Sequence, residues 1–551
     1  MIACLAAIAV TGLDWGLPST RNDGYLFNTQ VWRGSQIAAL AGDRPAGAAA
    51  DVDRNPVVSG EAPVVLNATD SDRAAILRRF RLYSHQPDEM ITFMSLADMK
   101  PAQGQLDPKL YQYGGLWIYP VGVMLKAASA LGVIDLRSDK AFYYDHPGAF
   151  GRFYVVARSY ALLWYVVAMA CAAAAIKQLT DDDLMAVVAA ATVGVLPVTF
   201  AMAHEAKPHI VGTALTLAAV LAAAKWVRTG RWRDAIFAGA LVGAAAGSVL
   251  TAATAVVLLP VMALLRHDGV GRRIGAATVA LAIAAAVYAA TNPYVVLHAI
   301  HGDAVLGGNL SNTKAMYGIG DLGQAATDAG ERLLEALSWP VAAVAVMSVI
   351  VFLFRKRRPS PIGWLLTTAA VVTLVPFVLF AAGKPAEYAR FALLPAVAIG
   401  ILCVWAISVS IARPWLRTGL AATLPVAIFI AGTLPYFRAF AIDTSAQPGD
   451  IDTRRLAAAA LERIGSYGAT LQVYADPAPY CMPPVDLSNW RIVLTRPDAP
   501  PIGAAIVRPI DDPGALPSPP AGYMRQTIVG SMDRPAPITW ANKPFELLIR
   551  Q

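Results

Sequence analysis

The stretch FALLPAVAIGILCVWAISVSIA, residues 391–412, contains no charged side chain. About 20 consecutive apolar residues can cross the hydrocarbon core of a bilayer as an α-helix, so this stretch predicts a transmembrane helix. Comparable apolar runs occur at 1–17, 155–176, 184–203, 210–226, 235–248, 250–265, 274–292, 338–354, 362–382 and 418–437. The runs within 235–265 are short and could also form one tilted span. The sequence therefore predicts an α-helical polytopic membrane protein with a bundle of about eleven transmembrane helices.

The overall composition agrees with this class. Of the 551 residues, 56% are hydrophobic and 15% are charged, whereas ordinary soluble domains contain about 25% charged residues. The formal net charge is +7. It does not indicate nucleic-acid binding, because membrane proteins concentrate Lys and Arg in their short cytoplasmic loops.

Cysteine and alanine usage point to a compartment. Cys4, Cys171 and Cys403 lie in apolar runs, and Cys481 lies by itself in a polar region. This distribution implies neither a disulfide framework nor a zinc cluster. Together with the Ala-rich spans, it favours the inner membrane of a bacterium.

Clusters of basic residues predict the orientation of the chain. They follow every second apolar run, at 225–233, 266–273, 355–358 and 413–417. The positive-inside rule places these clusters, and with eleven crossings also the N-terminus, in the cytoplasm. The segments predicted to lie outside are then 18–154, 204–209, 293–337, 383–390 and the tail 438–551.

The segment GGLWIYPVGVMLKAASALGVI, residues 114–134, is apolar enough to span the membrane. A crossing here would move the basic 225–233 loop to the outside. We therefore predict a helix that lies against the outer membrane surface, with Trp117, Tyr119 and Lys126 as interfacial anchors.

A second juxtamembrane helix is predicted over 72–84, DRAAILRRFRLYS, which combines four arginines with Ile76, Leu77 and Phe80. Such a segment can bind lipid headgroups. It would place the acidic pair that follows, Asp88 and Glu89, at the membrane surface. An acidic pair in a loop is otherwise most often solvated and without function.

The tail changes in composition and predicts a separate, small α/β domain over 438–551, with the membrane-embedded domain ending at 437. DIDTRRLAAAALERIG, residues 450–465, predicts a helix. Four short strands separated by Pro-rich turns are predicted at 471–475, 491–495, 525–530 and 545–549. Acceptor recognition or packing on the membrane domain are the roles that this tail suggests.

Several motifs follow one another in a recognisable order. They are PDE at 87–89, LYQYGGLWIYPVG at 110–122, Arg158 in YVVARSYALL, AHEAKPHI at 203–210, TNPYVVL at 291–297 and KPAEYARFALLPAVAIG at 384–400. Their order and sidedness resemble the GT-C membrane glycosyltransferases, in particular the bacterial polyprenyl-phosphate-sugar-dependent enzymes related to protein O-mannosyltransferases and the lipid A aminoarabinose transferase. The resemblance covers roughly residues 80–412.

This resemblance implies an inverting glycosyltransferase with a GT-C-like bundle and a periplasmic tail domain. Its partners would be a polyprenyl-phosphate-linked sugar, a lipid, glycan or protein acceptor with a free hydroxyl, and membrane lipids. Asp88 would act as the general base and Glu89 as its support, because one carboxylate suffices to take the acceptor proton during inversion. The charge of the leaving phosphate calls for cations, and Arg158, Lys207 and Arg390 near the external ends of spans are the candidates. Arg158 could instead snorkel to the interface, and Lys207 and Arg390 could instead pair with a neighbour. Substrate contacts are expected from His85, Tyr113, His204, Glu205, Glu387 and Tyr388.

A divalent metal is a further interpretation of AHEAKPHI, since His204, Glu205 and His209 are residue types that bind metals. Their spacing is not a recognised zinc signature, and a Glu–Lys ion pair flanked by two histidines is the simpler interpretation.

The sequence also departs from the family. About seventy residues separate the first apolar run from Asp88, and Tyr113-Gly114-Gly115 stands where the aminoarabinose transferase carries a Lys. No Trp-Trp-Asp motif is present, which argues against an oligosaccharyltransferase.

Two other classes of function remain open. A lipid or glycan transporter or flippase would also be polytopic, but it should carry ionisable residues at span centres or paired broken helices. A non-catalytic cell-envelope assembly protein should tolerate replacement of Asp88.

Overall fold

The computed structural model describes the whole chain except residues 28–29, 42–62, 303, 355–359, 443–451, 465–467, 475–481, 497, 511–515 and 531–534. The basic cluster 355–358 and Cys481 lie outside the described residues. Two compact units are present. The helical unit comprises Met1–Leu13, Ser95–Met124 and Ala157–Phe437, and the sheet unit comprises Asp14–Met94, Leu125–Val156 and Arg438–Gln551.

Long apolar helices confirm a multi-pass membrane protein. Within the described part of the chain, six helices have the length and composition to cross a bilayer: Pro147–Thr180, His209–Thr229, Val270–Thr291, Pro361–Leu379, Ala386–Ser410 and Pro414–Ala441. Counting two bent helix pairs as spans raises this number to eight. The predicted number of about eleven is therefore not confirmed.

The difference in number comes from short helices. The first apolar run is helical over Ile2–Val10 only. The region 235–265 contains the helix Trp232–Ala246, a 3₁₀ segment Leu250–Val257 and the helix Leu258–Leu265. Other helices that lie wholly or partly in the helical unit are Met90–Asp98, Gly115–Ala130, Pro293–His301, Ala304–Met316 and Leu434–Ile442.

Two spans are broken by a bend. Asp183–Gly194 and Pro197–Ala203 meet at 67°, and Leu322–Leu337 and Trp339–Val349 meet at 108°. Proline begins the second helix of the first pair, because its fixed φ and missing N–H suit a first helical position. Ser338 at the second bend has a φ of +66°, outside the helical region, so the helix cannot continue through it.

Small residues let two neighbouring helices approach closely. Helix Trp232–Ala246 packs against helix Val270–Thr291. A Cβ atom at Gly239 or Gly243 would lie 2.3 Å from the carbonyl oxygen of Ala280 or Ala284, respectively. Glycine is therefore required at both positions for this packing distance.

The segment 114–134 forms a helix, Gly115–Ala130, as predicted. Its start lies against another backbone, since a Cβ at Gly114 would be 2.1 Å from the carbonyl oxygen of Gly247. Trp117 is 0% exposed, and its ring packs against Tyr160 at 5.6 Å. The prediction that Trp117 is an interfacial anchor is wrong, because protein surrounds this side chain.

The sheet unit contains six strands: β1 Val64–Val65, β2 Thr470–Tyr474, β3 Arg491–Thr495, β4 Ala505–Pro509, β5 Tyr523–Val529 and β6 Phe545–Arg550. Their order is β1-β3-β2-β4-β6-β5, with β2 parallel to β3 and β4 and the other pairs antiparallel. The four predicted strands of the tail are confirmed. The strand β4 was not predicted, and β1 comes from the first loop.

The core of the sheet unit also combines the first loop with the tail. Helix Asp70–Leu82 begins with a capping box between Thr69 and Asp72. Its apolar side chains belong to the same buried cluster as residues of β2 and β3; these side chains are Ile76, Leu77 and Phe80. They cover the sheet, so the prediction that they attach to lipid is wrong. The unit is completed by the helices Asp23–Leu26, Gly34–Ala41, Lys140–Asp145, Thr453–Glu462 and Ala536–Ala541.

Candidate functional site

The acidic pair lies in a short 3₁₀ turn, Pro87–Glu89, of the sheet unit. Glu89 is 0% exposed, and its Oε2 accepts a hydrogen bond from Ser84 Oγ at 2.6 Å. Asp88 is half-buried. The neighbouring carboxylates thus differ in accessibility: Glu89 stabilises the turn from inside, and Asp88 is the carboxylate that reaches the surface.

His85 lies next to this turn and is buried. Its Nε2 is 3.3 Å from Asp452 Oδ2, and its backbone N–H donates to the carbonyl of Gly16 at 2.8 Å. Burial alone would raise the pKa of Asp452, but Arg454, His85 and Arg455 outweigh it and hold this pKa well below its usual range. Within the sheet unit, His85 faces a carboxylate, and its predicted substrate contact stays a prediction.

Four charged side chains form one buried cluster in the helical unit. Lys207 is 0% exposed; its Nζ lies 3.2 Å from Glu205 Oε2 and donates a hydrogen bond to Glu387. Arg390 forms an ion pair with the same Glu387. Both cations thus share one carboxylate, and the four formal charges balance. Sequence reasoning selected all four residues and gave the Glu205–Lys207 pair as the simpler interpretation of AHEAKPHI, but it did not predict that Lys207 and Arg390 share Glu387.

Arg390 also lines a cavity of about 330 Å³ in the helical unit. The rest of the wall is mainly apolar and aromatic, with several threonine hydroxyls; it includes Val249, Leu250, Phe377, Phe380, Phe391, Leu393, Leu394, Thr213, Thr251, Thr254, Thr313 and Thr373. A guanidinium in an apolar wall suits a ligand that has an apolar body and an anionic group.

Three more predicted residues lie at or beside this cavity. Tyr388 is in the wall, stacks on Phe377 at 5.2 Å and donates a hydrogen bond to the Phe377 carbonyl at 2.9 Å. His209 is also in the wall. Its ring contacts Tyr113 edge-on, with centroids 6.3 Å apart. Tyr113 pairs through its backbone with Val249, another wall residue.

Arg158 and His204 both contact the first segment of the chain. Arg158 is 0% exposed, and its Nη1 donates to the carbonyl of Leu13 at 2.8 Å. His204 Nε2 lies 3.1 Å from the carbonyl oxygen of Thr11, and its Nδ1 lies 2.9 Å from that of Phe200. The phosphate and substrate contacts predicted for these two residues stay predictions.

The metal interpretation receives no support from the geometry. Both ring nitrogens of His204 face carbonyl oxygens, and Glu205 faces Lys207. Among the residues that the structure describes, no group of three His, Cys, Asp or Glu side chains is arranged to hold a metal ion.

Three contributions were missed in the sequence. Asp452 is the N-cap of helix Thr453–Glu462, and its position before Arg454 and Arg455 was the available signal. Tyr436 donates a hydrogen bond to Glu335 Oε1 at 3.3 Å, and both residues are far from any motif. The threonine-rich cavity wall has no sequence signal, because it is assembled from five separate segments.

Comparisons with known proteins give structural similarity only. No protein-family model matches the sequence, and no curated protein matches it. The chain is similar to ArnT from Cupriavidus metallidurans, solved bound to undecaprenyl phosphate, with 14% identity over 67% of this chain and 73% of that chain and a TM-score of 0.43. It is also similar to the archaeal oligosaccharyltransferase AglB from Archaeoglobus fulgidus, solved with an inhibitory peptide and a dolichol-phosphate. Here the identity is 12%, the match covers 90% of this chain and 64% of AglB, and the TM-score is 0.41. The chain thus spans less than two thirds of AglB. Both proteins belong to the GT-C superfamily, which the sequence motifs resemble.

Proposed function

We propose that this protein is an inverting GT-C glycosyltransferase that moves a sugar from a polyprenyl-phosphate donor to an acceptor hydroxyl at the outer face of a bacterial inner membrane. The acceptor oxygen forms a bond to the anomeric carbon, and the bond from that carbon to the phosphate oxygen breaks. Asp88 takes the acceptor proton, and the lipid phosphate leaves as an anion.

The observation that carries this proposal is the apolar cavity with Arg390 in its wall. A polyprenyl phosphate has an apolar chain and an anionic head, which match an apolar wall and a guanidinium. Arginine binds phosphate through two parallel hydrogen bonds, and such charge-assisted bonds are strong where water is excluded. The motif order around 80–412 supplies the second line of support.

Within this proposal, Glu387 and Lys207 act on the donor phosphate indirectly, through Arg390. Lys207 is fully buried and holds Glu387, which in turn pairs with Arg390. Glu387 then fixes the orientation of the guanidinium in the cavity wall. Glu205 balances the charge of Lys207 from the other side.

The accessibility of the acidic pair supports the assignment of the base. A general base must reach the proton that it removes. Asp88 is half-buried, whereas Glu89 is fully buried and accepts a hydrogen bond from Ser84. Asp88 is therefore the better candidate of the two.

The proposal is tested by sugar transfer in lipid nanodiscs. Purified protein receives a panel of radiolabelled polyprenyl-phosphate sugars and a membrane extract as the source of acceptors. We expect the wild type to transfer one label with inversion at the anomeric carbon and Asp88→Asn to lose transfer. Asp70→Asn, a charge-matched change at an exposed position, should transfer like the wild type. Equal transfer by wild type and Asp88→Asn, or none from any donor, would contradict the proposal.

A lipid or glycan flippase is the second candidate, because the two bent helix pairs are a feature of transporters. It predicts movement of a labelled polyprenyl-phosphate sugar between leaflets of proteoliposomes that is independent of Asp88. Movement that survives Asp88→Asn without any transfer would favour this candidate.

A further inference from the structure

A buried contact between a histidine and a carboxylate in the sheet unit joins the first loop to the start of the tail. His85 Nε2 lies 3.3 Å from Asp452 Oδ2, and His85 and Asp452 are 8% and 2% exposed. Arg454 Nε donates to Asp452 Oδ1 at 2.9 Å. His85 and Asp452 are 367 positions apart in the sequence (452 − 85), so the tail contacts a specific residue of the first loop.

The contact lies three residues before Asp88. The segment 84–89 is fixed from inside by the hydrogen bond between Ser84 and Glu89. It is also held by two other segments of the chain through His85, whose backbone N–H donates to the Gly16 carbonyl and whose ring contacts Asp452. Asp88 is the carboxylate of this turn that neither set of bonds buries.

Helix capping by itself does not account for the partners of Asp452. Its capping of helix Thr453–Glu462 uses Oδ1, which accepts from the Arg454 backbone N–H at 3.0 Å, and capping would need no histidine. The partners of Asp452 outweigh its desolvation, so these contacts also contribute to stability. Buried charged groups can in addition fix one geometry among several.

We propose that Asp452 and His85 are positioning residues that hold the Pro87–Glu89 turn in the geometry in which Asp88 accepts the acceptor proton. The tail thereby takes part in catalysis through the base and not through contact with the donor. The inference rests on the proposed role of Asp88.

Steady-state kinetics test the catalytic half of this inference. We expect Asp452→Asn and His85→Ala to lower kcat about ten- to hundredfold, since small misplacements of a catalytic group cost this much, with the KM for the donor nearly unchanged. His85→Gln can still donate a hydrogen bond to Asp452 and should recover part of kcat. A rise in KM at constant kcat would overturn the inference.

A matched control comes from another buried ion pair of the tail. Glu546 is 1% exposed and accepts hydrogen bonds from Arg508 and Arg525, far in sequence from the turn. Glu546→Gln should lower the melting temperature as much as Asp452→Asn does, but it should leave kcat unchanged. If both variants lose kcat in proportion to stability, Asp452 is only structural and the inference fails.

Hydrogen exchange separates failure of this inference from failure of the proposed function. The amides of 84–90 should exchange at least about tenfold faster in Asp452→Asn than in the wild type and Glu546→Gln, since local opening needs less free energy. This readout requires no activity. Unchanged exchange overturns the positioning role even if Asp88 is the base. Faster exchange together with equal transfer by wild type and Asp88→Asn overturns the proposed function while the contact stands.

Discussion

At the scale of single residues, burial separates Asp88 from Glu89. Glu89→Ala removes a buried carboxylate that accepts a hydrogen bond from Ser84, and loss of a bond to a charged group should cost about 1.5–3 kcal/mol of stability. The Ser84 hydroxyl keeps the carbonyl of Gln86 as an acceptor at 2.9 Å. Asp88→Asn should leave the protein folded and lower transfer about a hundredfold or more. Thermal melts and transfer assays on both variants check this. Strong destabilisation by Asp88→Asn would contradict the assignment of the accessible carboxylate.

Arg390 and Lys207 carry the same charge, but we expect replacement of Arg390 to weaken donor binding and replacement of Lys207 to lower stability. Arg390 is in the cavity wall, and Glu387 keeps Lys207 as a partner when Arg390 is lost. Arg390→Ala should therefore fold, with donor binding weakened about tenfold or more because a charge-assisted phosphate contact is lost. Binding of an unlabelled polyprenyl phosphate to protein in nanodiscs measures this.

Lys207→Met removes the cation between two carboxylates. Glu205 and Glu387 then remain buried with less compensation, and breaking a buried ion pair in this way costs about 3–5 kcal/mol. We expect a large fall in melting temperature and in the yield of monodisperse protein. Recovery of stability in the double change with Glu205→Gln, which leaves the Glu387–Arg390 ion pair intact, would show that unpaired charge is the cause. A stable, fully active Lys207→Met would refute this account of the cluster.

Residue types and the local Glu205–Lys207 pair, but not the long-range pairings, could be predicted at this scale. The motifs KPAEYAR and AHEAKPHI identified all four residues of the cluster, because charged side chains between apolar runs stand out. The bond from Lys207 to Glu387 crosses 180 positions, and no local pattern encodes it. The same holds for Asp452 and His85, since the partner of a buried charge depends on tertiary packing.

At the scale of elements, helix Asp70–Leu82 offers a direct test of packing against the sheet. Leu77 is 1% exposed in the core shared with β2 and β3. Leu77→Ala should cost about 2–5 kcal/mol, as truncation of a core leucine does. Ser71→Ala, at an exposed position of the same helix, should be neutral. If Leu77→Ala leaves the melt unchanged but weakens binding to anionic vesicles, the helix serves the membrane instead.

Element types were predictable where a pattern has one physical interpretation. Uncharged runs of about twenty residues gave the long helices, and short β-branched runs between prolines gave four strands. Helix 70–82 is different, because an amphipathic pattern with arginines fits both a lipid surface and a sheet. The bend at Ser338 was also hidden, since a positive φ at a serine leaves no mark in the sequence.

At the scale of the whole molecule, the sheet depends on chain segments from both ends. Asn67 illustrates this: its Nδ2 donates to the carbonyl of Leu487 at 2.7 Å, and its Oδ1 accepts from the N–H of Ile492 at 2.9 Å. Residues of the first loop also fill the core, among them Leu26, Ile37, Ile76, Leu77 and Phe80. The sequence placed the start of the tail at 438, and it could not show that the tail shares its core.

This sharing predicts how the tail behaves when it is expressed alone. Each of the five buried side chains contributes about 1.5–3 kcal/mol by burial, so their loss removes roughly 10 kcal/mol, comparable to the whole stability of a domain. We therefore expect residues 438–551 by themselves to show no cooperative thermal transition, and we expect 14–94 added in trans to restore one. Circular dichroism melts of the two samples decide this. A cooperative melt of 438–551 alone would mean that the strands β2 to β6 suffice for folding, and the first loop would then be a cover on an independent α/β domain.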